Sequence, residues 1–186
     1  MRVHLGLVHH PVCDKNGQRI ASAITPVDLH DLARIARTYG VSTFQVITPL
    51  SDQQELAERI CSHWTAGFGA SYNPHRREAL ELVTVVSSLV DGVQKISAME
   101  GKEPFILATD ASRKEEKMIS FPDARAMIDR DLVVFLLFGT AWGLAPDALG
   151  KADAVLEPIM GVDEYNHLPV RAAAAIILDR LVGDHT

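Results

Sequence analysis

Hydrophobic positions along the chain switch repeatedly between a period near two and a period near 3.6, so strands and helices alternate. Residues 3–8 (VHLGLV) predict a first strand, followed by a polar loop, 9–23, that holds the turn pair Asn16-Gly17. A helix then opens at Thr25-Pro26-Val27-Asp28: threonine can cap it, proline suits the first helical position, and aspartate complements the dipole. Leu29, Leu32, Ala33 and Ala36 follow at helical spacing, and Tyr39-Gly40 closes the element. A second strand is predicted over 44–48 and a second helix over 52–64, begun by Ser51. Beyond the loop 67–77, the pattern predicts a strand over 82–86, a helix over 88–99 and a strand over 105–109. A short helix over 122–129 precedes 133–138 (VVFLLF), a continuous apolar run of the kind found in strands buried on both faces. A last short strand, 154–156, and a helix over 170–181 complete the series. This alternation predicts an α/β fold with a mostly parallel sheet flanked by helices, and residues 1–186 read as a single domain.

Composition narrows the class. Hydrophobic residues make up 47% and charged residues 23% of 186, the balance of a globular protein rather than a disordered one. The net charge of −6 argues against a protein basic all over, while leaving room for a local basic patch. Two cysteines, Cys13 and Cys61, are too few for a disulfide framework or a cysteine zinc site. His9 and His10 are adjacent, so on a strand they point to opposite faces, and no metal is expected. With no apolar run long enough to span a bilayer and no signal-peptide pattern, no membrane role and a cytoplasmic location are expected.

In open α/β sheets, ligands bind outside the carboxyl ends of the strands. Three such ends carry small or polar residues: 108–112 (ATDAS), 138–144 (FGTAWGL) and 157–169 (EPIMGVDEYNHLP). Gly139 and Gly143 either let a ligand approach the backbone or only shape a turn. The dinucleotide fingerprint, the P-loop and the G-x-S-x-G elbow are all absent, which weighs against an unrelated reductase, nucleotide hydrolase or α/β hydrolase. His9, His10 and Asn16 follow the first strand on the ligand side and are candidates for substrate contact. The loop 67–77 joins Phe68 and Tyr72 to His75, Arg76 and Arg77. It reads equally as a platform for unstacked bases and phosphates or as a lead into a helix capped by Asn73. Arg171, in the first turn of an apolar helix, sits at the unfavourable end of the dipole, which points to a partner there.

The segments FGTAWGL and LEPIMGVDEYNHLPVRAAAAIILDRL resemble the C-terminal half of the SPOUT class of RNA methyltransferases, over roughly residues 105–183. The segments VHHPVCDKNG, TPVDLHDLARIARTYGV and HWTAGFGASYNPHRREAL are similar to a bacterial subgroup of the same class. One departure is Ala141, where many members carry an acidic residue in the glycine turn.

The resemblance implies a C-terminal deep trefoil knot, a homodimer, S-adenosylmethionine as cofactor and structured RNA, tRNA or rRNA, as substrate. It places the cofactor against Leu137, Phe138, Gly139 and Thr140, then Gly143 and Leu144, and against Ile159, Met160, Gly161, Asn166 and Leu168. Thr109 and Asp110 are placed to meet its polar atoms. Asp163, Tyr165 and Asn166, with Glu164 between the first two, are the candidates for catalysis, although Asn166 serves as well to hold its loop. RNA contact falls to His9, His10, Asn16, Tyr72, Arg76, Arg77 and Arg171. The alanine run 172–175 would let a second helix approach closely in a dimer. The competing reading is a cofactor-binding or RNA-binding module of the same fold without catalysis, which the net charge and Ala141 favour.

Overall fold

A computed structural model describes residues 2–112, 117–163 and 165–184. Its centre is a seven-stranded sheet built from β1 (Val3–Val8), β4 (Thr43–Ile47), β5 (Val83–Val86), β6 (Phe105–Thr109), β7 (Met118–Ile119), β8 (Val134–Gly139) and β9 (Ala154–Leu156). The order across the sheet is β5-β4-β1-β8-β6-β9-β7, and each neighbouring pair runs parallel. A two-stranded antiparallel ribbon, β2 (Val12–Cys13) with β3 (Arg19–Ile20), stands apart from it. The sequence pattern gives only a loop there, because a two-residue strand carries no readable period.

The apolar run in β8 shows why the sheet is covered twice. Val134, Leu136 and Phe138 enter one core and Phe135 and Leu137 the other, as alternation along a strand requires. The first core is closed by α1 (Pro26–Thr38), α2 (Ser51–Thr65), α4 (Pro74–Leu80), α6 (Phe121–Asp129) and α8 (Val170–Val182). The second is closed by α5 (Leu89–Glu100) and α7 (Pro146–Leu149). The short α3 (Phe68–Tyr72) lies beside α2. Gly6 stands where β1 passes β8 on the second face: a Cβ there would lie 2.8 Å from Leu137 and 2.9 Å from Phe135.

Capping signals hold in detail. Thr25 accepts from the Asp28 amide at 3.1 Å, Asn73 from the Arg76 amide at 3.0 Å and Ser88 from the Asp91 amide at 3.1 Å. Helix α2 differs: its cap residue is Leu50, Ser51 being already helical. The expected loop 67–77 is therefore mostly helical, α3 and α4 meeting at Asn73, whose side chain caps α4.

Strand order reverses its direction of growth at β1 and β8. The chain builds β4 and β5 on one side of β1, then crosses by way of α5 to build β6 and β9 beyond β8. Such a switch leaves a crevice at the carboxyl edge of the sheet.

Candidate ligand pocket

A cavity of about 700 Å³ occupies that crevice, within the ordinary range for small-molecule sites. Its floor is the carboxyl ends of β6, β8 and β9, through Thr109, Gly139 and Leu156. One wall is the turn after β8, with Thr140, Ala141, Trp142 and Gly143; the other is the segment running from Glu157 to Ile159 and from Asn166 to Pro169. The first turns of α8 add Val170, Ala173 and Ile177, and α1 contributes Asp28.

The turn owes its shape to two glycines and an ordinary residue in an uncommon conformation. Gly143 has φ +99°, and Ala141 has φ +53°. A Cβ on Gly139 would stand 2.6 Å from the Leu144 amide nitrogen and 2.9 Å from the Gly143 carbonyl carbon. Gly139 thus serves its own turn rather than opening space for a ligand. The β2–β3 ribbon supports the turn from behind: Cys13 donates to the Gly143 carbonyl at 3.0 Å, and the Trp142 amide donates to the Cys13 carbonyl at 3.1 Å.

Across the cavity, the side-chain amide of Asn166 donates to the Ala111 carbonyl at 2.7 Å, fastening the segment before α8 to the loop after β6. Asp28 accepts from the Thr25 hydroxyl at 2.6 Å and from Arg171 at 2.7 Å, and Arg171 also reaches Asp31 at 3.2 Å. The partner foreshadowed for Arg171 is this pair of carboxylates on α1, which ties the start of α8 to the start of α1. Expected to meet RNA, its guanidinium is instead engaged within the fold. Glu157 accepts from the Phe121 amide at 2.7 Å, and Asp110 from the Ser112 amide at 2.7 Å.

Of the residues expected at a cofactor, Thr109, Asp110, Phe138, Gly139, Thr140, Gly143, Ile159, Asn166 and Leu168 do line the cavity. Leu137 does not, because the pleat turns it into the opposite core. Leu144 is likewise buried in that core. Met160 is 66% exposed, and Gly161 is exposed beside it; neither lines the cavity. Asp163 and Tyr165 sit outside as well. Asp163 accepts from the Tyr165 amide in an exposed turn, and the Tyr165 ring is 73% exposed. Glu164 lies outside the described residues. Asp28, Ala173 and Ile177 escape sequence reasoning, since nothing in the pattern says that α1 and α8 meet across the sheet edge.

The residues expected to meet RNA divide similarly. His9 is fully buried, so it offers RNA no surface; burial pushes its pKa down to about 4, against the opposing pull of Asp28. His10 is half-buried near Arg19, and burial also lowers its pKa. Asn16 is exposed in the ribbon's turn. Tyr72 is 73% exposed and stacks on Phe68, ring centres 5.9 Å apart. Arg77 is exposed but pairs with Glu81 at 2.8 Å, while Arg76 folds back over the Trp64 ring at 4.6 Å.

The lining suits S-adenosylmethionine. Leu156, Ile159, Leu168 and Val170 give an apolar slot for an adenine. The carboxylates of Asp110 and Glu157 suit hydroxyl donors and positive charge, while Asp28 beside them is already paired with Arg171.

Fold and site together define a parallel α/β protein with a small-molecule pocket at the topological switch of its sheet. The chain belongs to the SAM-dependent RNA methyltransferase family, whose pattern matches residues 2–183. Among its relatives is the tRNA (guanine-N(1)-)-methyltransferase of Oleidesulfovibrio alaskensis, 42% identical over 182 residues, which are 98% of this chain and 42% of that protein. The chain thus spans about two-fifths of the length of the curated relatives first matched. An uncharacterized protein of Aquifex aeolicus is 37% identical over 180 residues, 96% of this chain and 87% of that one. In fold, the chain is similar to an A. aeolicus TrmH/SpoU tRNA modifying enzyme, with TM-score 0.57 and 17% identity over 97% of this chain and 73% of that chain. The RNA methyltransferase resemblance read from FGTAWGL and from LEPIMGVDEYNHLPVRAAAAIILDRL is borne out by the family match, and the fold expected from it by the likeness to a SpoU-type structure.

Proposed function

We propose that this chain is an S-adenosylmethionine-dependent methyltransferase acting on structured RNA, tRNA or rRNA, and that it binds its cofactor in the cavity at the carboxyl edge of β6, β8 and β9. The observation that carries this reading is the convergence of three backbone segments on one cavity whose lining suits that cofactor. When bound, the cofactor supplies an electrophilic methyl group. The chain's own part is to hold an adenine in the slot of Leu156, Ile159 and Leu168, and to set Asp110 and Glu157 around the polar atoms. Asn166 fixes the loop that closes the site through its bond to Ala111. Trp142, exposed on the cavity wall, offers an aromatic face to an unstacked base, and Met160, Val162 and Tyr165 are exposed in the segment before α8. Tyr72 and Arg77 extend the RNA surface.

The proposal includes a trefoil knot, with the segment before α8 threaded through the chain; the Asn166–Ala111 bond across that segment fits such threading. It also includes a single domain, a cytoplasmic location and a homodimer. The dimer reading is supported by exposed Val27, at the start of α1. The guanine-N(1) activity named for the longer relatives is not carried over, since this chain matches only 42% of their length. A second reading, binding without catalysis, is favoured by Ala141, which leaves the glycine turn without an acid. Incubating the protein with unmodified tRNA and rRNA and isotope-labelled S-adenosylmethionine, then digesting the RNA for nucleoside mass spectrometry, separates the two. One labelled nucleoside supports the enzyme; cofactor binding without label in either RNA favours the binding module.

A further inference from the structure

The chain leaves β1 at Val8 and enters the ribbon, returning at Ser22, whose amide donates to the His9 carbonyl at 2.8 Å. This return sets three side chains in a row. His9 Nδ1 lies 2.9 Å from Ser22 Oγ, Ser22 Oγ lies 2.5 Å from Thr140 Oγ1, and Thr140 Oγ1 lies 2.9 Å from the Val8 carbonyl. His9 is fully buried, and Thr140 lines the cavity.

The row has a direction. A carbonyl only accepts, so the Thr140 hydrogen is committed to Val8. Ser22 must then donate to Thr140, which obliges His9 to donate from Nδ1 to Ser22. A hydroxyl oxygen has two lone pairs, and Ser22 uses one on Thr140. What remains for a ligand is a lone pair, not a hydrogen.

We propose that His9 and Ser22 are positioning residues that fix the Thr140 hydroxyl, so that Thr140 meets the ligand in the cavity only as a hydrogen-bond acceptor and selects an N–H or O–H donor. The inference rests on the cofactor reading of this cavity. S-adenosylmethionine has donors of that class in its exocyclic amine, its ribose hydroxyls and its ammonium group. A ligand presenting an acceptor at this point would face the Thr140 lone pair and lose both desolvation and contact.

The test joins calorimetry with S-adenosylhomocysteine to nitrogen-15 NMR of the histidine rings. Wild type binds and holds His9 in the Nδ1–H tautomer. Thr140→Val, which keeps the shape and removes the oxygen, weakens binding about tenfold, and Thr140→Ser retains it. Ser22→Ala, outside the cavity, weakens binding about threefold and frees the His9 tautomer, while Ser22→Thr restores both. A folded Thr140→Val that binds as tightly as wild type overturns the proposal. So does a wild-type His9 protonated at Nε2 instead, whatever the ligand does. Absence of cofactor binding by a wild type with the Nδ1–H tautomer overturns the cofactor reading and with it the ligand half of the proposal, leaving the hydrogen-bond order intact.

Discussion

Replacing Arg171 with Leu removes the cation that ties α8 to α1 while keeping an apolar stem of similar length. Its guanidinium is 34% exposed and meets Asp28, 14% exposed, at 2.7 Å and Asp31, 41% exposed, at 3.2 Å. At an effective dielectric near 20, unit charges at about 4 Å attract by about 4 kcal/mol. Desolvation and side-chain ordering offset most of that, and the outer Asp31 pair contributes about 0.5 kcal/mol. Asp28 keeps the Thr25 hydroxyl and the positive end of α1 after the change, so it is not left as an uncompensated charge. The expected loss is about 1–2 kcal/mol, or about 3–6 °C in a chain of this size. Because Val170 and Ala173 of the same helix line the cavity, cofactor affinity falls with it. Chemical denaturation of Arg171→Leu, Asp28→Asn and the double variant reads the coupling directly, with about 1 kcal/mol expected between the two sites. An unchanged denaturation midpoint, combined with an RNA salt slope reduced by about one, would refute the reasoning and return Arg171 to a phosphate.

Two further outcomes follow from the pocket's surroundings. His9 has its pKa lowered from 6.5 to about 4, so the unfolded chain binds the extra proton first as pH falls. The stability from neutral His9 is full above pH 6.5 and is lost on descending to about 4. It amounts to roughly 3 kcal/mol at most, and His9→Gln should flatten the denaturation-versus-pH curve in that window; a curve of unchanged slope would contradict the burial argument. In Gly139→Ala the new Cβ meets the backbone of Gly143 and Leu144, so stability should fall by about 2–3 kcal/mol with a displaced turn and lost cofactor binding. Thermal melting of that variant within one degree of wild type would contradict it.

The sequence was most legible where period and caps agree. The run at 133–138 reads as a strand covered on both faces, and both cores receive its side chains in alternation. Thr25 and Asn73 announce their helices, and each caps as its chemistry requires, whereas Ser88, read as the first residue of its helix, caps it instead. Alternation does not say which phase faces which core, and that is why Leu137 was placed in the slot that Phe138 lines. The ribbon and α7 are too short to show a period. Arg171 advertises a partner by its place at a helix start, but Asp28 and Asp31 lie 143 and 140 positions away in sequence, and only the packing of α8 on α1 supplies them. His9 looked like a surface ligand because it follows a strand on the ligand side. The return of the ribbon at Ser22 covers it, and that closure depends on hydrogen bonds to residues far along the chain.

The cavity at the ends of β6, β8 and β9 is the site proposed to hold S-adenosylmethionine. Calorimetric titration of the wild type and of Leu168→Asp with this ligand tests it most directly, because Leu168 is 44% exposed and lines the slot without supporting the core. One site per chain is expected in the wild type, and in a variant of unchanged melting temperature an affinity at least tenfold weaker, since a carboxylate would stand where an adenine is to be enclosed. A wild type giving no binding at millimolar ligand, or a Leu168→Asp variant binding as tightly as wild type, would contradict it.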